Sequence, residues 1–151
     1  MNSVATDRID REILSRLVHN GRASYTELGH DVGLSPHAVA DRVRRLVAAR
    51  IVTGFTATVD FGAIGRGLDA LIDVRLLPTA TPETFEARVE TIGSVREIAF
   101  VTGRFDYQLR VACKDADDLD RTVRVLRQEA GAAVTETRIV LRSMAHSPDI
   151  P

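Results

Sequence analysis

The sequence is short of several residue types and patterns on which whole classes of protein depend. A single cysteine among 151 residues, Cys113, excludes a disulfide framework and an all-cysteine zinc site within one chain. No apolar run approaches the roughly 18 residues of a membrane-spanning helix, and the first residues lack the layout of a secretory signal. Phosphate-loop, GxGxxG and GxSxG patterns are also missing. We therefore expect a soluble cytoplasmic protein with no membrane partner and no cofactor.

Charge is unevenly divided along the chain. The whole sequence has a formal net charge of -1, yet residues 1–50 hold 8 arginines against 6 acidic side chains. Half of these arginines lie between Arg42 and Arg50, where Asp41 is the only nearby acid. Residues 51–151 have an acidic surplus. The sequence thus has two parts of different electrostatic character, of which the first suits an anionic partner.

Residues 1–50 have the pattern of three short helices. Ser24 and Glu27 have the spacing of a capping box at the start of the second helix. Ser35 is a good N-cap for a third helix over about residues 36–49, and Pro36 suits its first position. Gly29 supplies a small residue where the helices would cross. This spacing predicts a helix-turn-helix unit.

The third helix divides into an apolar and a polar face. At about 100° per residue, one stripe collects Val39, Val43, Leu46 and Val47. The opposite face carries His37, Ala38, Asp41, Arg44, Arg45 and Ala48, with Arg42 on its flank. A helix with an apolar stripe on one face and arginines on the opposite face suits the major groove of DNA. The alternative is that the arginines form only a solvated helix face.

Phosphate contacts and base contacts are expected from different residues of this helix. Ser35, Arg42 and Arg45 are predicted mainly to hold phosphates. The residues predicted to face the bases are His37, Ala38, Asp41 and Arg44. The full set of predicted DNA-binding residues is Ser35, Pro36, His37, Ala38, Asp41, Arg42, Arg44 and Arg45.

The rest of the chain alternates between strand and helix patterns. Strand-like alternation falls at 68–77, 95–102, 106–113 and 134–142, and helices follow Pro82 and Asp115 or Asp118. The order βαββαβ is the ferredoxin-like split motif. Cys113 falls in the buried register of the third strand. Residues 51–66 are expected to form a short strand and a flexible connector.

One face of this predicted sheet would be covered by its two helices. Depending on register, the other face would carry Leu71, Leu77, Ile98 or its neighbours, and Ile139. An exposed apolar sheet face of this kind predicts a subunit interface.

An ordered set of motifs runs through the chain. It comprises DRIDREIL at 7–14, GRASYTELGHDVGLSP at 21–36 and DRVRRL at 41–46, and it continues through residues 51–60 and VTGRFDYQL at 101–109. The set closely resembles the Lrp/AsnC family, the leucine-responsive or feast/famine transcription regulators of bacteria and archaea. The resemblance covers nearly the whole chain.

The resemblance implies an α+β protein in three segments. An N-terminal helix-turn-helix (winged-helix-like) DNA-binding domain would occupy residues 1–50, a linker strand and hinge 51–66, and a ferredoxin-like effector-binding and oligomerisation domain 67–151. The implied partners are a near-palindromic operator in double-stranded DNA, a small-molecule effector such as an amino acid, and further copies of the chain. Dimers would assemble into tetramers or octamers. The protein would be cytoplasmic and associated with the nucleoid.

The GRFD turn is the leading candidate for an effector site. N–H groups around Gly103 can receive a carboxylate, Asp106 can accept an α-ammonium group, and Phe105 or Tyr107 can supply an apolar wall. The resemblance implies that Gly103 to Asp106 help form the effector site at a contact between dimers. The alternative is a plain hairpin turn in which Asp106 only satisfies backbone N–H groups.

Thr135, Thr137 and Arg138 of the final strand are further candidates by the same resemblance, although they are also compatible with ordinary sheet positions. The predicted effector-binding residues are Gly103, Arg104, Phe105, Asp106, Tyr107, Thr135 and Thr137.

An enzyme is the alternative to a transcription regulator. Some tetrapyrrole decarboxylases resemble this family in architecture and use basic residues and histidine in a cleft. Here the basic third helix is intact, and the second part has no histidine before His146. The sequence therefore predicts a transcription regulator without catalytic residues.

Overall fold

The structure is a computed structural model that describes residues 5–144, 146 and 150. It divides into two compact units, with the described residues 5–58, 144, 146 and 150 in the first and Val59–Ser143 in the second. Among the described residues, no helix combines the length and the apolar character needed to cross a bilayer.

Three helices build the first unit, and each is capped at its start. They are α1 (Arg8–His19), α2 (Tyr25–Val32) and α3 (Pro36–Ala48). The side chains of Asp7, Ser24 and Ser35 each accept a hydrogen bond from the backbone N–H three residues later. These caps satisfy N–H groups that the first turn of a helix leaves unpaired. The predicted helix-turn-helix is confirmed.

A small apolar core holds the helices of the first unit together. Ile13, Leu28, Val39 and Val43 are buried in it. Val47, predicted for the same stripe, is 44% exposed. It lies about 80° around the helix from Val39, at 100° per residue, and so falls outside the packed face.

Gly29 permits a close approach between α2 and the chain that leads into α3. A Cβ added to Gly29 would lie 2.5 Å from the backbone oxygen of Leu34. Gly33 ends α2 in the left-handed conformation, with φ 71°, which glycine adopts without the steric cost of a side chain. The two glycines set the tight turn between α2 and α3.

The expected linker strand is not formed. Residues 53–60 have no strand pairing, because a strand needs a hydrogen-bonded neighbour and the described part of the chain offers none there. For the same reason residues 5–58 contain no β-wing. At the end of the segment, the Arg66 guanidinium donates to the carbonyls of Gly93 (3.3 Å) and Ala112 (3.2 Å).

The second unit has the predicted βαββαβ order. Its elements are β1 (Leu68–Leu76), α4 (Pro82–Val89), β2 (Val95–Phe100), β3 (Tyr107–Cys113), α5 (Ala116–Gln128) and β4 (Ala132–Ile139). The strands form one antiparallel sheet in the order β2-β3-β1-β4. This is the ferredoxin-like arrangement, so the α+β fold class is confirmed.

The core of the second unit lies between the sheet and its two helices. Ile72 and Leu109 from the sheet pack with Phe85 of α4 and Leu126 of α5, all of them buried. Cys113 is buried in the same cluster, as predicted. Burial raises the pKa of its thiol, because desolvation disfavours the thiolate.

The other face of the sheet is polar, so the prediction of an apolar sheet face is wrong. Arg110 donates to both carboxylate oxygens of Asp69, at 3.1 and 2.6 Å. Gln108 donates to Asp73 at 2.9 Å, and Arg138 forms an ion pair with the same carboxylate. These contacts form a ladder of polar pairs across β3, β1 and β4.

The strand register explains this error. Ile98 pairs with Leu109, and Ile139 pairs with Ala70. Directly paired residues point to the same face, so both isoleucines belong to the side that the helices cover. Leu71 alone of the predicted set is paired with the polar side, opposite Arg110.

Candidate nucleic-acid interface and ligand turn

The outward face of α3 presents a chain of polar side chains. The His37 ring lies 3.5 Å from the Asp41 carboxylate (Nε2 to Oδ2), and Arg44 forms an ion pair with the same carboxylate. The side chains of His37 and Arg44 are 85% and 66% exposed. Behind them, Val39 and Val43 are buried. The outward face of α3 is therefore open to solvent, with a buried stripe behind it.

The first turn of α3 suits an anion. Ser35 caps the helix by accepting from Ala38 N–H at 3.2 Å, and Pro36 occupies the first turn. Backbone N–H groups and the positive end of the helix dipole attract phosphate at such a position. The Ser35 hydroxyl can still donate while it accepts, which is compatible with its predicted phosphate contact.

Arg42 and Arg45 turn back toward α1 instead of joining the outward face. Arg42 Nη1 donates to Asp7 Oδ2 at 2.7 Å and to Asp10 Oδ1 at 2.8 Å. Arg45 Nη2 donates to Asp10 Oδ2 at 2.6 Å. The Arg42 side chain is only 25% exposed, whereas that of Arg45 is half exposed.

These contacts shift the titration of the groups involved. The Asp10 backbone N–H and the Arg42 guanidinium hold the pKa of Asp7 below its ordinary value. Hydrogen bonds to Asp7 and Asp10 in turn raise the pKa of Arg42. Both groups therefore stay charged at neutral pH.

Asp7 and Asp10 are site residues that the sequence analysis missed. The signal for Asp10 was its place on the apolar stripe of α1, three residues before Ile13 and four before Leu14. A carboxylate on a buried stripe needs a cationic partner, and the arginines of α3 were the available candidates.

The GRFD turn connects β2 with β3. Gly103 has a φ of 115°. Among the described residues, the N–H groups of residues 102–105 donate to no protein acceptor. Such free, neighbouring N–H groups are what a carboxylate ligand requires.

Asp106 already has a structural partner. Its Oδ2 accepts from Leu76 N–H at 2.8 Å, and its own N–H donates to Val74 O at 2.8 Å. The carboxylate thus satisfies a backbone N–H, as the hairpin alternative expects, although the donor lies on β1. Its second oxygen has no protein donor among the described residues.

Aromatic candidates at this turn divide into two environments. Phe105 lies within cation–π distance of Arg75 and Arg104, at 5.9 and 5.3 Å. Tyr107 is fully buried and donates to Glu86 Oε1 at 2.6 Å. Phe105 is therefore available to line a ligand site, whereas Tyr107 belongs to the core.

The two threonine candidates lie on the helix-covered side of β4. Thr135 pairs with Val74 and Thr137 with Ile72. Thr135 accepts from Arg127 of α5 at 2.9 Å. Val74 separates Thr135 from Tyr107, which is about 10 Å away at two strand spacings. Within one chain, the structure does not bring these threonines to the turn.

A helix-turn-helix with an exposed polar third helix, followed by a ferredoxin-like unit, defines a two-domain DNA-binding protein. Comparison with known protein families identifies which family of DNA-binding proteins this is. Residues 7–47 match the AsnC-type helix-turn-helix domain, and residues 69–150 match the Lrp/AsnC ligand binding domain. The chain belongs to the Lrp/AsnC family of helix-turn-helix transcription regulators.

Individual relatives agree with this assignment. The leucine-responsive regulatory protein of Salmonella typhimurium is 33% identical over 144 residues, covering 93% of this chain and 88% of that protein. The feast or famine regulatory protein of Mycobacterium tuberculosis complexed with L-methionine is similar in structure, with a TM-score of 0.91, 33% identity, and coverage of 97% and 100%.

A second solved structure is the L-methionine complex of a transcriptional regulator from Neisseria meningitidis. Its TM-score is 0.88 at 29% identity, with 97% of each chain covered. These relatives are named as regulators, which supports the predicted regulator over the decarboxylase alternative.

Proposed function

We propose that this regulator reads a near-palindromic operator in nucleoid DNA by placing α3 in the major groove. The observation that carries the proposal is the outward face of α3, where exposed His37, Asp41 and Arg44 lie over a buried stripe. His37, Ala38, Asp41 and Arg44 face the bases, and Ser35 and Arg45 contact phosphates. Arg42 is held by Asp7 and Asp10, so any phosphate contact would have to compete with two ion pairs.

Two half-sites are needed because one α3 reaches few phosphates. Binding by a homodimer turns the second contact into an intramolecular one and raises affinity without new residues. Assembly of these dimers into tetramers or octamers is part of the proposal. Phe100 on β2, Ile139 on β4 and Leu141 after it are at least half exposed, and they are the apolar positions of the second unit that we expect subunit contacts to cover.

Arg44→Ala is expected to weaken operator binding about tenfold or more, because a bidentate arginine–base pair contributes about 1–3 kcal/mol. The measurement is fluorescence anisotropy with the DNA upstream of the regulator's own gene. Arg124→Ala on α5 is the matched control, since it removes a similarly exposed arginine from the other unit. Light scattering should show the same oligomer for both variants. Wild-type affinity in Arg44→Ala would refute the assignment of α3.

We further propose an amino-acid effector at the GRFD turn, in a site completed where dimers meet. The N–H groups of residues 102–105 and one oxygen of Asp106 have no protein partner in the described part of the chain. The N–H groups suit the α-carboxylate, and the Asp106 oxygen suits the α-ammonium group. Phe105 between two arginines supplies a wall. Thr135 and Thr137 can join this site only from another chain. The L-methionine complexes of two similar regulators support this ligand class.

Asp106→Asn is expected to abolish the amino-acid response and to leave DNA affinity without effector unchanged. Asparagine keeps an oxygen for Leu76 N–H but removes the charge that holds an ammonium group. Asp106→Ala is the comparison, because it also leaves that N–H unpaired and costs about 1–3 kcal/mol of stability. The probe is L-methionine, followed by the other free amino acids, in the anisotropy assay. A wild-type response in Asp106→Asn would show that the turn does not bind the effector.

A further inference from the structure

One buried carboxylate links α1 to α3 at the proposed DNA interface. The side chain of Asp10 is 1% exposed and lies on the same face of α1 as Ile13. An ionised carboxylate in such a place is costly unless donors surround it. Asp10 receives three donors: Asp7 N–H at 3.2 Å, Arg42 Nη1 at 2.8 Å and Arg45 Nη2 at 2.6 Å.

Through these two arginines, the Asp10 carboxylate contacts α3 at two points. Arg42 and Arg45 are three residues apart, so their side chains lie one above the other on the same helix face. Each donates to a different oxygen of Asp10. The apolar stripe of α3 holds the helix against the core, but apolar contacts are not directional. The paired ion contacts are directional and fix the rotation of α3 about its own axis.

Rotation matters because base contacts tolerate little displacement. Turning α3 by about 20° would move a side-chain tip 5–6 Å from the axis by about 2 Å. Hydrogen bonds to base edges require donor–acceptor distances of about 2.7–3.2 Å. Asp10 does not reach solvent, yet the reach of Arg44 toward a base depends on the rotation that Asp10 sets.

The Asp10 carboxylate also competes with DNA phosphates for Arg42 and Arg45. Non-specific binding depends on arginines and lysines that neutralise phosphates of any sequence. Asp10 neutralises charge on Arg42 and Arg45, and Arg45 is half exposed at the edge of the interface. Removing the negative charge therefore frees Arg45 for phosphates of every sequence.

We propose that Asp10 is a positioning residue for DNA recognition, which raises the ratio of specific to non-specific affinity by orienting α3 and by holding Arg45 in the position from which it contacts an operator phosphate. The inference rests on the proposed role of α3 as the recognition helix. It predicts effects of different direction on the two kinds of binding, which loss of stability alone does not produce.

The test is Asp10→Asn, titrated against the upstream DNA and against a scrambled duplex of the same length. Specific affinity should fall about tenfold, while affinity for the scrambled duplex stays constant or rises because a neutralising charge is gone. Ile13→Val is the control, since it weakens the same core without touching the ion pairs and should keep the wild-type ratio. An equal fall in both affinities, or an unchanged ratio, would overturn the proposal.

Arg42→Lys keeps the inference testable if Asp10→Asn does not fold by circular dichroism. Lysine retains the charge for a phosphate but cannot match the planar geometry that joins Arg42 to Asp7 and Asp10. The ratio should fall about threefold or more, as expected for residues of one ion-pair network. A wild-type ratio in Arg42→Lys would overturn the proposal. Arg44→Ala, run in parallel, shows separately whether α3 contacts DNA at all.

Discussion

Gly29→Val is expected to abolish operator binding while the second unit stays folded. A Cβ at Gly29 would meet the backbone oxygen of Leu34 at 2.5 Å, and valine adds two methyl groups beyond that atom. The obstacle is backbone, so relief requires the turn into α3 to move, which costs about 1–3 kcal/mol or more. The first unit has a small core, and units of this size have little stability to lose.

The loss should appear in two measurements made on the same preparation. Anisotropy should show no specific binding, and thermal unfolding should show an early transition for the first unit with the second unit's transition in place. Gly54→Val is the matched control, because an added Cβ there meets no atom within 4 Å among the described residues. If Gly29→Val binds the operator as tightly as the wild type does, the close approach of α2 to this turn is not needed for the helix-turn-helix to bind DNA.

Tyr107→Ala is expected to destabilise the second unit by about 3–5 kcal/mol, the range for removing a large buried aromatic side chain. Tyr107 is fully buried, with ring centroids 4.6 Å from Phe85 and 5.0 Å from Phe100. Its hydroxyl donates to Glu86 at 2.6 Å. Burial and this carboxylate raise the pKa of the hydroxyl, which therefore stays protonated as the donor.

Tyr107→Phe separates the ring from the hydroxyl. It keeps the aromatic packing and should cost only about 1 kcal/mol, the net contribution of one hydrogen bond. Denaturant unfolding of both variants gives the comparison. Tyr107→Ala should also lose assembly, because the proposed oligomerising unit is the one destabilised. A Tyr107→Ala variant that unfolds at the wild-type denaturant concentration would contradict the placement of this side chain in the core.

Local sequence signals were sufficient to predict the helices and the order of the strands. The caps at Ser24 and Ser35 and the spacing around Gly29 depend on residues a few positions apart. Alternation along a strand likewise identifies two faces. Which face the helices cover depends on the pairing of strands distant in sequence, and so Ile98 and Ile139 were assigned to the wrong side.

The candidate site was predictable only where it is local. The outward face of α3 follows from helical spacing, whereas the bonds from Arg42 to Asp7 and Asp10 join residues 35 and 32 positions apart. Neither helical nor strand periodicity relates residues that are so far apart in the sequence. The short strand predicted within residues 51–66 is not formed at residues 53–60, because an extended segment forms a ladder only with a hydrogen-bonded neighbour.

Titration of the wild-type protein against the DNA upstream of its own gene tests the central claim most directly. Anisotropy would be recorded at two salt concentrations, beside a scrambled duplex, with and without L-methionine and the other free amino acids. A regulator that reads its operator through α3 should bind the upstream DNA tightly and less so at high salt, with a shift in the curve for at least one amino acid. Equal affinity for the upstream and scrambled duplexes at both salt concentrations, with no amino acid shifting either curve, would contradict the account.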